Sequence, residues 1–149
     1  MFAARQDNAI QTYLAGMPVP FTWNDARRYV AFDMDQPNRF VIADSSGGAL
    51  LGSIWLDGPR GVPEIGFWLA PNARGRGIAS RAAAALARWA VDVQGASTVE
   101  LVTHPMNAAA QAVAIRAGFI ASGVVEYAEW PDGATRGARY VWTDKQRVE

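Results

Sequence analysis

Cysteine is absent from this 149-residue chain, and histidine occurs once, at His104. The first absence excludes a cysteine-acyl intermediate and a thiolate metal site, and the second excludes a multi-histidine metal centre. The carboxylates show no metal-loop spacing either, so no metal is expected. A Ser-His-Asp relay would have to use His104, yet no Gly-x-Ser-x-Gly elbow accompanies it. Neither sign of charge is in excess: 14 basic and 14 acidic residues give a formal charge of +0. No global field draws in nucleic acid or a membrane surface, and any basic character is local. No uncharged apolar run reaches the length of a membrane span, and no signal-peptide h-region accompanies the early Arg5 and Asp7. The expectation is a soluble, by default cytoplasmic protein with neither nucleic acid nor membrane as partner.

Half of the residues are hydrophobic, enough for one core, and 1–149 reads as a single domain without repeat or linker. Its centre is Gly61 to Ala90. Glu64 to Leu69 is a short run of β-formers between Pro63 and Pro71, which suits a mostly buried strand. From Ile78 the larger apolar residues Ile78, Leu86, Trp89 and Val93, with Ala82 and Ala85, recur at helical spacing. Between strand and helix sits Arg74-Gly75-Arg76-Gly77-Ile78-Ala79. Glycines let backbone N–H groups surround a ligand, the helix start adds orphan donors, and two arginines raise the potential. A phosphate or pyrophosphate fits that turn; a plain glycine turn with solvated arginines fits it as well. It is neither a P-loop nor a dinucleotide fingerprint, since the Gly-Lys-Ser/Thr ending and a third glycine at the proper spacing are missing.

Elsewhere the pattern predicts a helix within Met1 to Leu14, then a turn at Gly16 to Pro20. A second helix starts from Thr22 as N-cap with Asp25 at the third position. Arg39 to Asp44 and Ala49 to Leu56 make a hairpin across Ser45 to Gly48. After a turn at Asp57 to Gly61 come the central strand and helix, with Gly95 to Ser97 ending the helix. Thr98 to Thr103 is then a strand parallel to the central one in a right-handed βαβ unit, which puts the turn at the carboxyl edge of the sheet. Asn107 caps a helix from Ala108 to Ala117 that Gly118 closes. Phe119 to Trp130 and Arg136 to Trp142 are strands joined at Pro131 to Ala134, and a polar tail begins at Thr143.

Two stretches resemble a known family. EIGFWLAPNARGRGIAS meets the Gln/Arg-x-x-Gly-x-Gly/Ala pyrophosphate loop of the GNAT superfamily of acyl-CoA-dependent N-acetyltransferases with Arg74, Gly77 and Ala79. Its Glu-Ile-Gly-Phe-Trp-Leu strand is similar to that of the ribosomal-protein N-terminal acetyltransferase branch. His104-Pro105-Met106-Asn107, followed by Ala112 to Phe119 (AVAIRAGF), is similar to that branch's asparagine-containing helix. The resemblance covers about residues 8 to 142. It implies an α/β (α+β) GNAT fold with a mixed, mostly antiparallel sheet around a parallel βαβ core flanked by helices. Family members begin with a strand ahead of the first helix; here that first strand is missing or replaced, and its edge is left open, covered by another element, or covered by a second copy in a homodimer.

The resemblance also implies a cosubstrate, acetyl-CoA. Backbone groups at Trp68, Leu69 and Ala70 would hold its pantetheine arm and the oxyanion, Arg74, Gly75, Arg76, Gly77, Ile78 and Ala79 its pyrophosphate, and Asn107 would add a cofactor contact to its capping role. The acceptor is a primary amine, which must first lose a proton from a pKa of about 8 for an α-amine or about 10.4 for lysine. Glu64 is the candidate base, a carboxylate on an apolar strand where desolvation favours its neutral acid form and fits it for proton exchange near neutral pH; it also reads as a solvated strand-end carboxylate. The family's tyrosine acid is replaced by Ala114, and the branch's serine by Ala110. The thiolate therefore leaves unaided, as a pKa of about 8.5 permits, or takes a proton from Tyr127, Tyr140 or His104. The strip Met17 to Trp23 lies over the acceptor site in the family, and it also reads as core packing. Asp25, Asp33 and Asp35 read as an amine-binding cluster or a solvated face, and Trp23, Trp55, Trp68 and Trp130 as an acceptor channel or core. Transfer to a protein or peptide N-terminus or a small amine, by direct attack in a ternary complex, is the leading expectation. A non-catalytic acyl-CoA-binding module and a nucleotide site of another class are the alternatives.

Overall fold

The computed structural model describes residues 1–58, 61–127 and 130–144. A single turn of 3-10 helix at Ala4–Gln6 precedes α1 (Asn8–Tyr13), and α2 spans Trp23–Met34. Then follow β1 (Arg39–Ala43), β2 (Leu50–Asp57), β3 (Glu64–Leu69), α3 (Ile78–Asp92), β4 (Thr98–Thr103), α4 (Ala108–Arg116), β5 (Ile120–Glu126) and β6 (Arg136–Thr143). The six strands form one sheet in the order β1-β2-β3-β4-β6-β5. Every neighbouring pair is antiparallel except β3 with β4. Among the described residues the first strand follows two helices.

The N-terminal helix predicted within Met1 to Leu14 is corrected to two pieces. Asp7 adopts an extended conformation (φ −63°, ψ 134°), and its side chain accepts from the Ile10 N–H, so the chain breaks and restarts there. An aspartate is a strong N-cap and favours that break. At α2 the expected capping box is present, with Asp25 accepting from the Thr22 N–H and Thr22 from the Asp25 N–H. The β5 strand stops at Glu126, short of the predicted Trp130; residues 128 and 129 lie outside the described residues. So do residues 59–60 of the predicted Asp57 to Gly61 turn and residues 145–149 of the polar tail.

The α3 stripe is also corrected. The buried positions are Ala79, Ser80, Ala83, Leu86, Ala87 and Ala90, whereas Ala85 and Val93 are exposed. Apart from Leu86, which is buried as predicted, small residues face the sheet, because a helix laid closely on a twisted sheet leaves little room beneath it for larger side chains. Strand alternation divides the apolar residues between two clusters. Ile54, Leu56, Ile65, Val99 and Leu101 pack with α3 and with Ala114 of α4. Trp68 and the half-buried Trp55 pack with Ile10, Met17, Phe21 and Ala26 from the N-terminal helices and their loop. Gly66 is required between them, since a Cβ there would lie 2.3 Å from the Trp55 indole.

Candidate active site

The parallel junction holds over one pair only. Glu64 is in register with Glu100, and the Glu100 N–H donates to the Pro63 carbonyl at 2.7 Å. β2 meanwhile stays paired along all of β3, from Glu64 to Leu69. Past Glu64, β3 and β4 therefore diverge, and the edges of Gly66 to Leu69 and Leu101 to Thr103 line a cavity of about 970 Å³. Strand edges without a partner strand present free N–H and C=O groups that an extended ligand can pair with.

One end of the cavity is the glycine-rich turn. Gly75 (φ 73°) and Gly77 (φ 70°) are left-handed, which residues with a side chain adopt only under strain. Gly77 is the N-cap of α3 and offers no side chain to the first turn; the earliest bond of the helix is Arg81 N–H to the Gly77 carbonyl. Among the described residues, the N–H groups from Gly75 to Ser80 donate to no protein acceptor. Six unspent donors at the positive end of a helix make an anion cradle. Gly75, Gly77, Ile78 and Ala79 line the cavity; Arg76 and Ala70 do not. Arg76 instead lies near Asp44 and gives its carbonyl to Arg81 Nη1 at 3.1 Å.

Arg74 lines the cavity but is already engaged. Its Nη2 donates to Asp7 Oδ1 at 2.7 Å and to the Leu69 carbonyl at 3.1 Å. The guanidinium thereby ties the turn to the end of β3 and to the start of α1. In return it holds the Asp7 carboxyl below its ordinary range, chiefly through that hydrogen bond. Asn107 lines the cavity too, and its Oδ1 caps α4 by accepting from the Ala110 N–H at 3.1 Å.

Glu64 is 5% exposed and lines the cavity, so it is not a solvated strand-end group. Register places Asp57, Glu64 and Glu100 in a row across three strands. Like charges facing one another repel unless neutralised. Glu100 is bound by Arg139, whose Nε and Nη2 both lie 2.6 Å from Oε1. At the other end Arg39 lies 3.4 Å from both Asp57 and Asp33. Burial pushes the Asp33 and Asp57 carboxyls up, and Arg39 pulls each back.

The three groups considered for the leaving thiolate fall in different places. Tyr140 is buried, with its hydroxyl donating to Gln111 Oε1 at 3.4 Å, and does not line the cavity. His104 lines it but uses both ring nitrogens, Nδ1 accepting from the Met106 N–H at 3.0 Å and Nε2 meeting Asp132 Oδ2 at 2.8 Å. Tyr127 lines the cavity with its ring stacked 4.7 Å from Trp130. Ala114 is wholly buried in the core. Of the tryptophans, Trp55, Trp68 and Trp130 line the cavity, whereas Trp23 is exposed and stacks on Phe2. Asp25 is spent in the capping box, Asp33 on Arg39, and Asp35 is exposed. Asp25 and Asp33 also stand eight residues apart on one helix, about 12 Å along its axis, so the three do not make one carboxylate pocket. Sequence reasoning missed Arg5 and Thr103, both buried and lining the cavity with unpartnered polar atoms; nothing in their local sequence marks them.

A cleft between diverging parallel strands, ended by unspent helix-start N–H groups and lined by a buried carboxylate, has the room and the donors for a long anionic ligand in extended form. Residues 1–120 match the acetyltransferase (GNAT) domain. The chain belongs to this family, the acetyl-CoA-dependent N-acetyltransferases. Among curated proteins, none matches it in sequence. Solved structures share the fold. A GNAT acetyltransferase from Bacillus anthracis superposes with a TM-score of 0.83 at 20% identity over 97% of this chain and 87% of that one. RimJ from Mycobacterium smegmatis, in complex with CoA-disulfide, gives 0.78 at 19% over 99% and 76%. Spermidine N-acetyltransferase from Vibrio cholerae, in complex with CoA and spermine, gives 0.75 at 16% over 99% and 90%. No helix among the described residues is long and apolar enough to cross a membrane.

Proposed function

We propose that this chain, acting as one domain, transfers an acetyl group from acetyl-CoA to a primary amine by direct attack in a ternary complex, with Glu64 as the base. The observation that carries the reading is the single cavity that joins the unspent N–H groups of Gly75 to Ser80, the open edges of β3 and β4, and Glu64. Bound acetyl-CoA supplies the acetyl thioester. The turn from Arg74 to Ala79 holds its pyrophosphate through backbone donors, with Arg74 fixing the turn rather than gripping the phosphate. Asn107 and the backbone of Trp68 and Leu69 line up the arm, and N–H groups on the free edge of β3 stabilise the oxygen that gains charge; Ala70, whose N–H is given to the Leu51 carbonyl, takes no part. Glu64 takes the amine proton, directly or through water, as the nitrogen–carbon bond forms and the carbon–sulfur bond breaks. The thiolate leaves unaided or takes its proton from Tyr127, which lines the cavity; Tyr140 does not line it, His104 has both nitrogens engaged and Ala114 carries no proton.

The neighbours named above include a spermidine N-acetyltransferase and RimJ, so the fold alone does not choose the acceptor. A peptide or protein N-terminus or a small amine is the proposed class. The test is release of free thiol from acetyl-CoA with a panel of amines, which the absence of cysteine makes unambiguous. Glu64→Gln is expected to lower kcat/KM by about a hundredfold, the usual scale for a general base, with acetyl-CoA affinity unchanged. Equal loss of binding and turnover would remove Glu64 from the role.

A further inference from the structure

Arg5 is 2% exposed and is among the largest fully buried side chains of the protein. It enters the structure from the 3-10 turn at Ala4–Gln6, and aromatic rings surround its guanidinium. Its Cζ lies 3.7 Å from the Tyr29 ring centroid and 5.2 Å from those of Phe21 and Trp68. Stacking of this kind satisfies the faces of a guanidinium and leaves the hydrogen-bonding edges to be matched. One edge lacks a close acceptor: among the described residues Nε and Nη2 meet none, although both atoms are shielded from solvent, and the Tyr29 hydroxyl that interacts with the guanidinium also makes no close hydrogen bond. Beside it the Trp68 indole Nε1 is likewise buried and unpartnered. Asp33 is the carboxylate whose charge Arg5 feels, and it is shared with Arg39.

Arg5, Tyr29, Phe21 and Trp68 all line the cavity that contains Glu64. Nε–H and Nη2–H point the same way from one side of the guanidinium, which is the edge that receives both oxygens of a carboxylate at once. A buried donor edge without an acceptor costs free energy, more so when the group is charged, unless a ligand supplies the oxygens.

We propose that the Nε/Nη2 edge of Arg5, with Trp68 Nε1 beside it, binds a carboxylate of the amine acceptor, making the substrate an amino acid or a peptide with an accessible carboxylate rather than a polyamine. The inference rests on the acetyltransferase reading of the cavity and deepens it. Arg5 is a specificity-determining residue that holds the acceptor, with Glu64 in the same cavity for the amine.

The test compares matched acceptors with the full chain: ω-amino acids of increasing length and short dipeptides, each against its carboxamide. The carboxylate member of at least one pair is expected to have about tenfold or higher kcat/KM, since a site built to pair a polar group discriminates strongly against its absence. Arg5→Lys and Arg5→Met are expected to abolish that preference by raising KM for the carboxylates, with less than about threefold change for the carboxamides. Trp68→Phe, which keeps the ring and removes the N–H, is expected to narrow the preference without abolishing it. If the Arg5 variants fail to fold, thermal shifts of the unaltered protein with each carboxylate and carboxamide give the same comparison. Absence of a carboxylate preference, or equal loss for both members of each pair, overturns the proposal and leaves Arg5 as a structural cation bridged by water. If acetyl-CoA binds but every carboxylate-bearing amine is refused, the acceptor class is overturned and the donor site stands. If acetyl-CoA does not bind, the underlying reading of the cavity falls.

Discussion

Arg74 and Asp7 stand 67 positions apart, and their contact changes what each residue does. The arginine reads in sequence as an anion-binding charge, yet it is bound to Asp7 Oδ1 and to the Leu69 carbonyl. The anion site is thus built from backbone donors that this pair holds in place. Because the folded-state pKa of Asp7 is depressed, its contribution is fully present above the unfolded value of about 3.9 and is lost as pH falls through the lower folded value. Acetyl-CoA affinity measured by calorimetry is accordingly expected to be flat from neutral pH down to about pH 5 and to weaken below about pH 4 beyond what acidification of the ligand itself explains. Asp7→Asn, which removes the charge but keeps a capping oxygen, is expected to weaken affinity at neutral pH and to flatten that acid limb. An unchanged profile in the variant would show that the pair does not support the turn. Asp7→Ala also removes the cap, and denaturant unfolding is expected to register a loss of about 1 kcal/mol. Glu64 was legible at this scale as a carboxylate on an apolar strand, but its burial was not, because burial depends on what the helices and sheet neighbours place over it.

At the scale of elements, β3, β4, α3 and the turn between β3 and α3 carry the site, and their positions were legible almost to the residue. β3 at Glu64–Leu69 and β4 at Thr98–Thr103 have the predicted bounds, and α3 starts at the predicted Ile78. Short apolar runs closed by proline or glycine leave the chain few other states. The face of α3 was read correctly at Leu86 and misread elsewhere, because Ile78, Trp89 and Val93 carry more hydrophobicity than the alanines that are in fact buried. Ala83, Ala87 and Ala90 have no exposure at all, so they act as spacers that let the helix lie close to β3. Ala87→Leu is expected to destabilise the fold by about 1–3 kcal/mol, the usual cost of overpacking, whereas Ala85→Leu on the exposed side is expected to lie within about 0.5 kcal/mol of the parent. Denaturant unfolding of the two variants makes the comparison. Equal effects would mean that the helix is packed differently. The break at Asp7 was missed for a related reason, since a weak apolar pattern suggested one helix while a single strong cap divided it.

For the molecule as a whole, the cavity joins parts that fold against opposite faces of one sheet. Ile65 belongs to the cluster under α3 and Trp68 to the cluster under the N-terminal helices, and both residues line the cavity. A donor lying along the opened seam of β3 and β4 would touch both halves and fasten them. Acetyl-CoA at a hundred times its Kd is therefore expected to raise stability by about 2.7 kcal/mol, seen as a concentration-dependent rise in Tm. Amide hydrogen exchange is expected to slow at Gly75 to Ser80 and along the free edge of β3, and protection confined elsewhere would relocate the donor site.

The sequence by itself determined the order of the strands and of the helices after the N-terminal one, the capping box at Thr22 and the family, because these follow from interactions among residues near one another in the chain. Only the tertiary structure decided that Glu64 is buried, that Arg74 is spent on Asp7, and that Arg5 presents an unmatched donor edge to the cavity. Each of these depends on residues tens of positions apart being brought together by the sheet, and no local pattern of the chain encodes the partner a side chain meets across a fold.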